Sequence, residues 1–290
     1  MKQGILLIAA GHPYYGNYAY QIALSLKANS NDIPVSIVYE GNGISHLGVT
    51  KLAIFDQIIE AKPQHYTSKS LGIKDIFKLK TSIYELSPYD ETLYLDVDMI
   101  WLPRKRVESL FAELNAVDFT MSNRGAMAID IANEGFVQWA SVADIRDAYG
   151  FKDETIYHLS SEFIYFKKNK DVKGLFDKVK KAFDYPKVNY KIFGQNQPDE
   201  LSFIIATMQT KMYPHTAPFL PAYWEPFNKM NMKPADMYQQ FYLCSFGGSI
   251  YSNGVRDFYN NLAKSYTNAA GEYFFPLTDK NKFLPERAVI

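Results

Sequence analysis

A chain of 290 residues with 47% hydrophobic side chains can bury a large core, which predicts one large α/β domain with at most a small appendage. Thirty-one basic side chains balance 31 acidic ones, which excludes bulk electrostatic capture of nucleic acid or of an anionic membrane. The single cysteine, Cys244, excludes an internal disulfide and fits a reducing, cytoplasmic compartment, and no apolar run reaches the length of a membrane-spanning helix.

The first apolar run, Gly4-Ile5-Leu6-Leu7-Ile8-Ala9-Ala10-Gly11, is too short for a signal peptide and flows into a turn. It predicts a buried, central parallel strand over residues 5–10. His12-Pro13-Tyr14-Tyr15-Gly16-Asn17 reads as a turn, and residues 18–28 read as a helix with Ala19, Ile22, Ala23 and Leu26 on one face. Residues 34–39 are the second strand and Glu40-Gly41-Asn42-Gly43 is a flexible turn. A single helix is predicted over 73–86, ending before Ser87-Pro88, and a strand follows into Asp96. This β-α-β-α-β order predicts an open, mostly parallel nucleotide-binding sheet. Its ligand belongs at the carboxyl ends of the strands, where Gly11, Gly41 and Asp98 fall.

The second half is less regular. Residues 123–152, with Gly125, Gly135 and Gly150 around a helix-like centre, read as an insertion or lid. Residues 159–166 form a strand, and Val172, Leu175, Phe176, Val179 and Phe183 mark one face of an amphipathic helix. The lysines on its other face, Lys173, Lys178, Lys180 and Lys181, read as solvated surface rather than a phosphate site. Residues 201–208 form a short buried helix introduced by Asp199-Glu200; residues 223–290 are aromatic-rich, with a helix over 255–265.

The chemistry concentrates in Thr92-Leu93-Tyr94-Leu95-Asp96-Val97-Asp98-Met99-Ile100-Trp101. Strand alternation would point Asp96 and Asp98 to one side, and two converging carboxylates are costly unless a cation or several donors compensate them. A hard divalent ion, Mn2+ or Mg2+, does so and leaves room for a diphosphate. Asp-x-Asp also arises by chance, as a strand-end turn with solvated carboxylates. Its weight here comes from ending a buried strand after a Gly-containing turn and a basic helix.

Four blocks together resemble the GT-A-fold glycosyltransferases, nearest in pattern to the glycogenin and bacterial lipopolysaccharide galactosyltransferase group. They are Ala9-Ala10-Gly11-His12-Pro13-Tyr14-Tyr15 leading into Ala23-Leu24-Ser25-Leu26-Lys27; Phe77-Lys78-Leu79-Lys80; Tyr94-Leu95-Asp96-Val97-Asp98; and Pro198-Asp199-Glu200-Leu201-Ser202-Phe203. The resemblance implies a Rossmann-like central sheet flanked by helices and a nucleotide-sugar donor, a UDP-hexose, transferred with retention to an unknown acceptor. It implies donor contacts from Ala10, Gly11, His12, Tyr15, Lys80, Asp96, Val97, Asp98, Ser161 and Glu162, metal ligation by Asp96 and Asp98, and Asp199 and Glu200 on the sugar side.

The departures are specific. The family's late metal-binding His sits in a His-Phe-x-Gly context, and the nearest match here is Ser245-Phe246-Gly247-Gly248, so the third ligand is Ser245 or water. Glu162 stands where the family has Gly, and reads either as an acceptor contact or as a solvated strand end. Asp199 and Glu200 read either as sugar-side carboxylates or as acids favoured by a helix N-terminus. His12 reads either as a nucleotide contact or as a turn-stabilising side chain, and Tyr223-Trp224 is a candidate surface for stacking on a sugar acceptor. His158 and His215 have no second ligand at zinc spacing. The competing functions are a degenerate GT-A scaffold that binds without turnover and a haloacid-dehalogenase-type phosphatase. That phosphatase family carries its Asp-x-Asp on the first strand, where this chain has no Asp.

Overall fold

The computed structural model of the protein describes residues 2–123, 135–137, 140–151, 156–190, 196–214, 222–223, 234–246 and 253–269. In β1 (Gln3–Ala9), Ile5, Leu7 and Ala9 are buried against one core and Leu6 against the other. Strands β4 (Glu91–Leu95) and β9 (Leu159–Lys167) repeat the alternation: Leu93, Leu95, Phe163 and Tyr165 face the first core, and Tyr94, Ile164 and Phe166 face the second. Strands apolar on both faces have to lie inside a three-layer stack. With β2 (Val35–Tyr39), β3 (Gln57–Glu60) and β6 (Phe119–Asn123) they form a six-stranded sheet ordered β3-β2-β1-β4-β9-β6. The strands β3, β2, β1 and β4 are mutually parallel, and β9 runs antiparallel to both β4 and β6.

Helix α1 (Tyr14–Ala28) and the helix Asn253–Ala269 cover the first face. The second is covered by α8 (Lys170–Asp184) and α9 (Asp199–Thr210). On α8, Val172, Leu175, Phe176, Val179 and Phe183 are each at most 2% exposed, as their spacing predicts. Full burial of each contributes about 1.5–3 kcal/mol. Asn169 caps α8 by accepting the Val172 N–H at 2.9 Å. The lysines on its outer face are engaged at the surface, Lys173 with Asp177 and Lys178 with the Gln209 carbonyl.

A second, three-stranded sheet orders β10 (Ala222–Tyr223), β11 (Leu243–Ser245) and β5 (Met99–Trp101) as β10-β11-β5 and brings Ser245 opposite Met99. The described part of 123–152 contains a small hairpin, β7 (Phe136–Val137) with β8 (Ala140–Ser141), and α7 (Val142–Tyr149). Short helices α2 (Val49–Leu52), α3 (Pro63–Tyr66) and α6 (Val107–Glu113) complete the connections, with the helix Pro234–Gln240 after β10. The expected helix over 255–265 lies within Asn253–Ala269, whereas Trp139, His215, Trp224, Gly247 and Gly248 lie outside the described residues.

Three local readings are corrected. The first helix starts at Tyr14, not residue 18, because Pro13 already holds helical angles, φ −58° and ψ −29°, at its N-cap. The single helix expected over 73–86 is two short ones, α4 (Lys78–Thr81) and α5 (Ile83–Leu86). Lys74 pairs with Thr67 in a β-bridge, and Asp75 Oδ1 accepts the Phe77 N–H at 3.0 Å, a local bond that competes with helix formation. Asp96, Val97 and Asp98 are not on a strand: β4 ends at Leu95, and the three residues turn the chain into β5. Alternation therefore does not aim the two carboxylates; the turn does.

Two glycines shape the carboxyl edge of the sheet. Gly11 turns the chain after β1 at φ +85°, and a Cβ there would sit 2.7 Å from Ile76 Cδ1. A Cβ on Gly43 would sit 1.9 Å from the Ala9 carbonyl oxygen, a main-chain atom that cannot yield. Gly43→Ala should therefore destabilise the protein by about 3 kcal/mol, roughly 6 °C in melting temperature, by forcing the β2 turn off β1. An unaltered melting curve would refute that close packing.

Candidate functional site

A cleft of about 270 Å³ opens at the carboxyl edge of the sheet, where Ala10, Tyr15, Lys80, Asp96, Val97, Asp98, Asp199 and Glu200 meet. Its remaining wall is Ile8, Ile76, Phe77, Tyr94 and Pro198. A larger depression of about 510 Å³ lies near the amino ends of β1 and β2, around Lys2, Asn31 and Pro34. It is away from the edge where ligands of such sheets sit.

Lys80 is the hub of the cleft. Its ammonium lies 2.9 Å from Asp96 Oδ2, 3.0 Å from Ser161 Oγ and 3.8 Å from Asp199 Oδ2. Burial penalises this charge, but Asp199 and Asp96 more than offset the penalty and hold the ammonium well above its ordinary pKa. The Tyr94 hydroxyl donates to Asp96 Oδ1 at 2.5 Å, so both oxygens of that carboxylate have protein partners. Asp98 is pushed up to about 7 by burial, then by Asp96 and Glu162. Glu162, buried within β9, accepts from the Ser245 hydroxyl at 3.2 Å. Its carbonyl accepts the Asp96 N–H at 2.8 Å, and Phe246 N donates to the Asp98 carbonyl at 3.2 Å.

Asp199 and Glu200 open α9 behind Pro198, which makes no side-chain cap. Asp199 is 2% exposed, and its Oδ2 has no hydrogen-bond partner among the described residues. Burial pushes its carboxyl up against the opposing pull of Lys80 and a hydrogen bond from Ser161. Burial, then Asp199, pushes Glu200 up to about 8.

These raised values fix a sign. A carboxyl whose folded pKa exceeds its unfolded value costs stability as pH rises from the unfolded value, near 4.5, to about 8. Glu200→Gln should therefore melt above wild type at pH 8 by about 2 °C, on the order of 1 kcal/mol, with the gap closing toward pH 5. Melting curves across that range check it, and a gap that widens at low pH would reverse the assignment.

Of the residues singled out from sequence, the structure gathers Ala10, Tyr15, Lys80, Asp96, Val97, Asp98, Asp199 and Glu200 on the cleft, with Ser161 behind Lys80. Gly11 and His12 stand at its margin and do not line it. His12 Nδ1 accepts the Tyr14 N–H at 3.3 Å, and its ring lies 4.8 Å from that of Tyr14, the geometry of a turn-stabilising side chain. Ser245 hydrogen-bonds Glu162, and Glu162 is buried rather than a solvated strand end. Sequence reasoning missed Tyr94, although its position two residues before Asp96 was a signal. It also missed Asp75 and Gln197, for which no local signal exists.

Among the described residues no group of three or more His, Cys, Asp or Glu side chains converges closely enough to hold a metal ion. The donor set nevertheless fits a hard divalent cation: Asp96 and Asp98 offer only oxygen, and Asp98 carries the strain of neighbouring carboxylates that a cation would relieve. No helix among the described residues is long and apolar enough to cross a membrane.

No protein-family model matches the sequence, and no curated protein matches it. Solved structures do match the fold. The galactosyltransferase LgtC, in complex with donor and acceptor sugar analogues, is 12% identical with a TM-score of 0.56, over 96% of this chain and 98% of that one. Mouse xyloside xylosyltransferase 1 is 10% identical with a TM-score of 0.50, over 86% of this chain and 99% of that one. The bifunctional glycosyltransferase WbbM is 12% identical with a TM-score of 0.52, over 84% of this chain and 45% of that one. The mostly parallel sheet with flanking helices, and its likeness to these glycosyltransferase structures, identify the fold of this chain as GT-A.

Proposed function

We propose that the protein is a glycosyltransferase that moves a hexose from a UDP donor to an acceptor, assisted by Mn2+ or Mg2+ and with retention of configuration. The observation that carries this reading is the meeting of Lys80, Asp96, Asp98, Asp199 and Glu200, from three separate segments, in one cleft at the carboxyl edge of a GT-A sheet. In the reaction the bond between the anomeric carbon and the diphosphate oxygen breaks and its electron pair leaves with the diphosphate. The acceptor forms the new bond and gives up a proton.

Ala10 and Tyr15, with Ile8, Ile76 and Phe77, make the apolar side of the cleft on which a nucleotide would rest. Lys80 sets a compact positive charge against the diphosphate. Asp96 and Asp98 would hold the metal ion, which when bound stabilises charge on the leaving diphosphate as a Lewis acid. Asp199, whose Oδ2 is buried without a hydrogen bond among the described residues, and Glu200 are the carboxyls for the sugar hydroxyls and for the positive charge that develops at the anomeric carbon. Glu162 and Ser161 support Asp96 and Lys80 from β9. We read the chain as one catalytic domain, with 123–152 as insertion or lid and 223–290 as its C-terminal part.

A panel of nucleotide sugars in a thermal-shift assay with Mn2+ tests the donor. A ligand at a hundred times its dissociation constant stabilises by about 2.7 kcal/mol. UDP-hexose hydrolysis over hours then tests turnover. A second reading, a scaffold that binds without turnover, is favoured by Ser245, whose hydroxyl is given to Glu162 where the resemblance calls for an imidazole ligand. UDP binding without hydrolysis or transfer would select it.

A further inference from the structure

Two of the segments that make the cleft are distant in sequence, the one ending in Lys80 and the one beginning α9, and a buried joint lies between them. Asp75 is fully buried. Its Oδ2 accepts the Gln197 N–H at 2.7 Å, and its Oδ1 accepts the Phe77 N–H at 3.0 Å. One carboxylate therefore clasps two main-chain amides, one three residues before Lys80 and the other two residues before Asp199. Asn196 adds a second tie, its Oδ1 accepting the Ile76 N–H at 3.3 Å.

Gln197 is itself held from every side. Its Nε2 donates to the Phe183 carbonyl at 2.6 Å, and its Oε1 accepts from Ser70 and Tyr190 hydroxyls, each at 2.9 Å. Nearby, Lys78 is anchored on Asp184 at 2.7 Å and on the Thr67 carbonyl at 2.6 Å. The titratable groups facing Asp75 are Asp199 on α9 and the Tyr190 hydroxyl, while Lys78 turns its ammonium away to Asp184. Burial pushes the Asp75 carboxyl up to about 6, against the pull of the Gln197 and Phe77 amides. A buried carboxylate is expensive, and this one is spent on main-chain donors at the entrance to both walls of the cleft.

We infer that Asp75 is a positioning residue, setting the distance between Lys80 and the Asp199–Glu200 turn through the two amides it clasps. The inference rests on the glycosyltransferase reading for its effect on turnover, while the joint itself does not. An amide in place of the carboxylate has one oxygen and turns an N–H toward one of the two donors. Reacting groups displaced by about 1 Å lose rate by one to two orders of magnitude.

The test is Asp75→Asn, measured for UDP affinity, donor turnover and melting temperature on one preparation. Turnover should fall about thirtyfold and UDP affinity by no more than about threefold, since the nucleotide also rests on β1 and Lys80 while the sugar side depends on α9 alone. The ratio of wild-type to variant turnover should narrow as pH falls below 6, where protonated Asp75 resembles Asn. Equal loss of affinity and turnover, or a lowered melting temperature with unchanged turnover per folded molecule, overturns the inference. If Asp75→Asn does not fold, Asn196→Ala should show the same split at about threefold, and no change there overturns it. If wild type binds no nucleotide and transfers no sugar, the glycosyltransferase reading fails and hydrogen exchange decides the joint. Asp75→Asn should then speed exchange at Phe77 and Gln197 and in the first turn of α9 but not in α8, and unaltered α9 exchange overturns it.

Discussion

Asp98→Asn should lower sugar transfer by about a hundredfold and weaken Mn2+-dependent UDP binding in parallel. A neutral amide oxygen is a poorer ligand for a hard cation than a carboxylate, and among the described residues it is Asp96, not Asp98, that makes the ion pair with Lys80. Asp96 has less capacity to compensate, because the Lys80 ammonium and the Tyr94 hydroxyl already occupy its oxygens. Folding should not suffer. The Asp98 carboxyl is raised to about 7 by burial and by its acidic neighbours, so in the metal-free protein its removal relieves repulsion. Calorimetric titration of UDP with and without Mn2+, beside initial rates, checks both halves. Equal activity of wild type and variant in excess chelator would instead mean that Lys80 and main-chain donors carry the leaving group without a metal.

Asp199→Asn should leave UDP affinity within about threefold and lower donor turnover by about a hundredfold. In the proposed reading the nucleotide and diphosphate would rest on β1, Lys80 and the Asp96–Asp98 turn, whereas a sugar-side carboxylate acts on charge that appears only as the glycosidic bond breaks. The helix-terminus alternative makes the opposite forecast, lost stability with intact turnover. Asp199 does not cap α9, its Oδ2 is buried without a hydrogen bond among the described residues, and burial raises its pKa against the pull of Lys80, Ser161 and its own main-chain amide. UDP affinity, melting temperature and turnover measured together separate the two, and unchanged turnover with a lowered melting temperature would remove Asp199 from the catalytic groups.

Much of the fold was legible because it rests on short-range periodicity. Apolar residues on both faces of β1, β4 and β9 require a sandwiched sheet, and the 3.6-residue stripe of α8 requires a partner on one side. Weak strands were not legible. β3 is an edge strand with little burial, and β5 and β11 are three residues each, too short to show a period. The break at 73–86 escaped because Asp75 bonds the backbone locally and is anchored from 122 residues away.

The sequence by itself determined the layered α/β sheet, its first two strands and the Asp96–Asp98 pair at its carboxyl edge, since these follow from residue type and local spacing, while family resemblance pointed to Lys80, Asp199 and Glu200. Tertiary structure alone decided which of them meet and in what charge state. Lys80 reaches Asp96, Ser161 and Asp199 at once, Ser245 turns to Glu162 across 83 residues, and Asp75 joins the two walls of the cleft. The reason is physical. Which face of an element is apolar follows from residues within a few turns, whereas a carboxyl's proton and a hydroxyl's partner depend on electrostatics across a few ångströms of space, which chain distance does not encode.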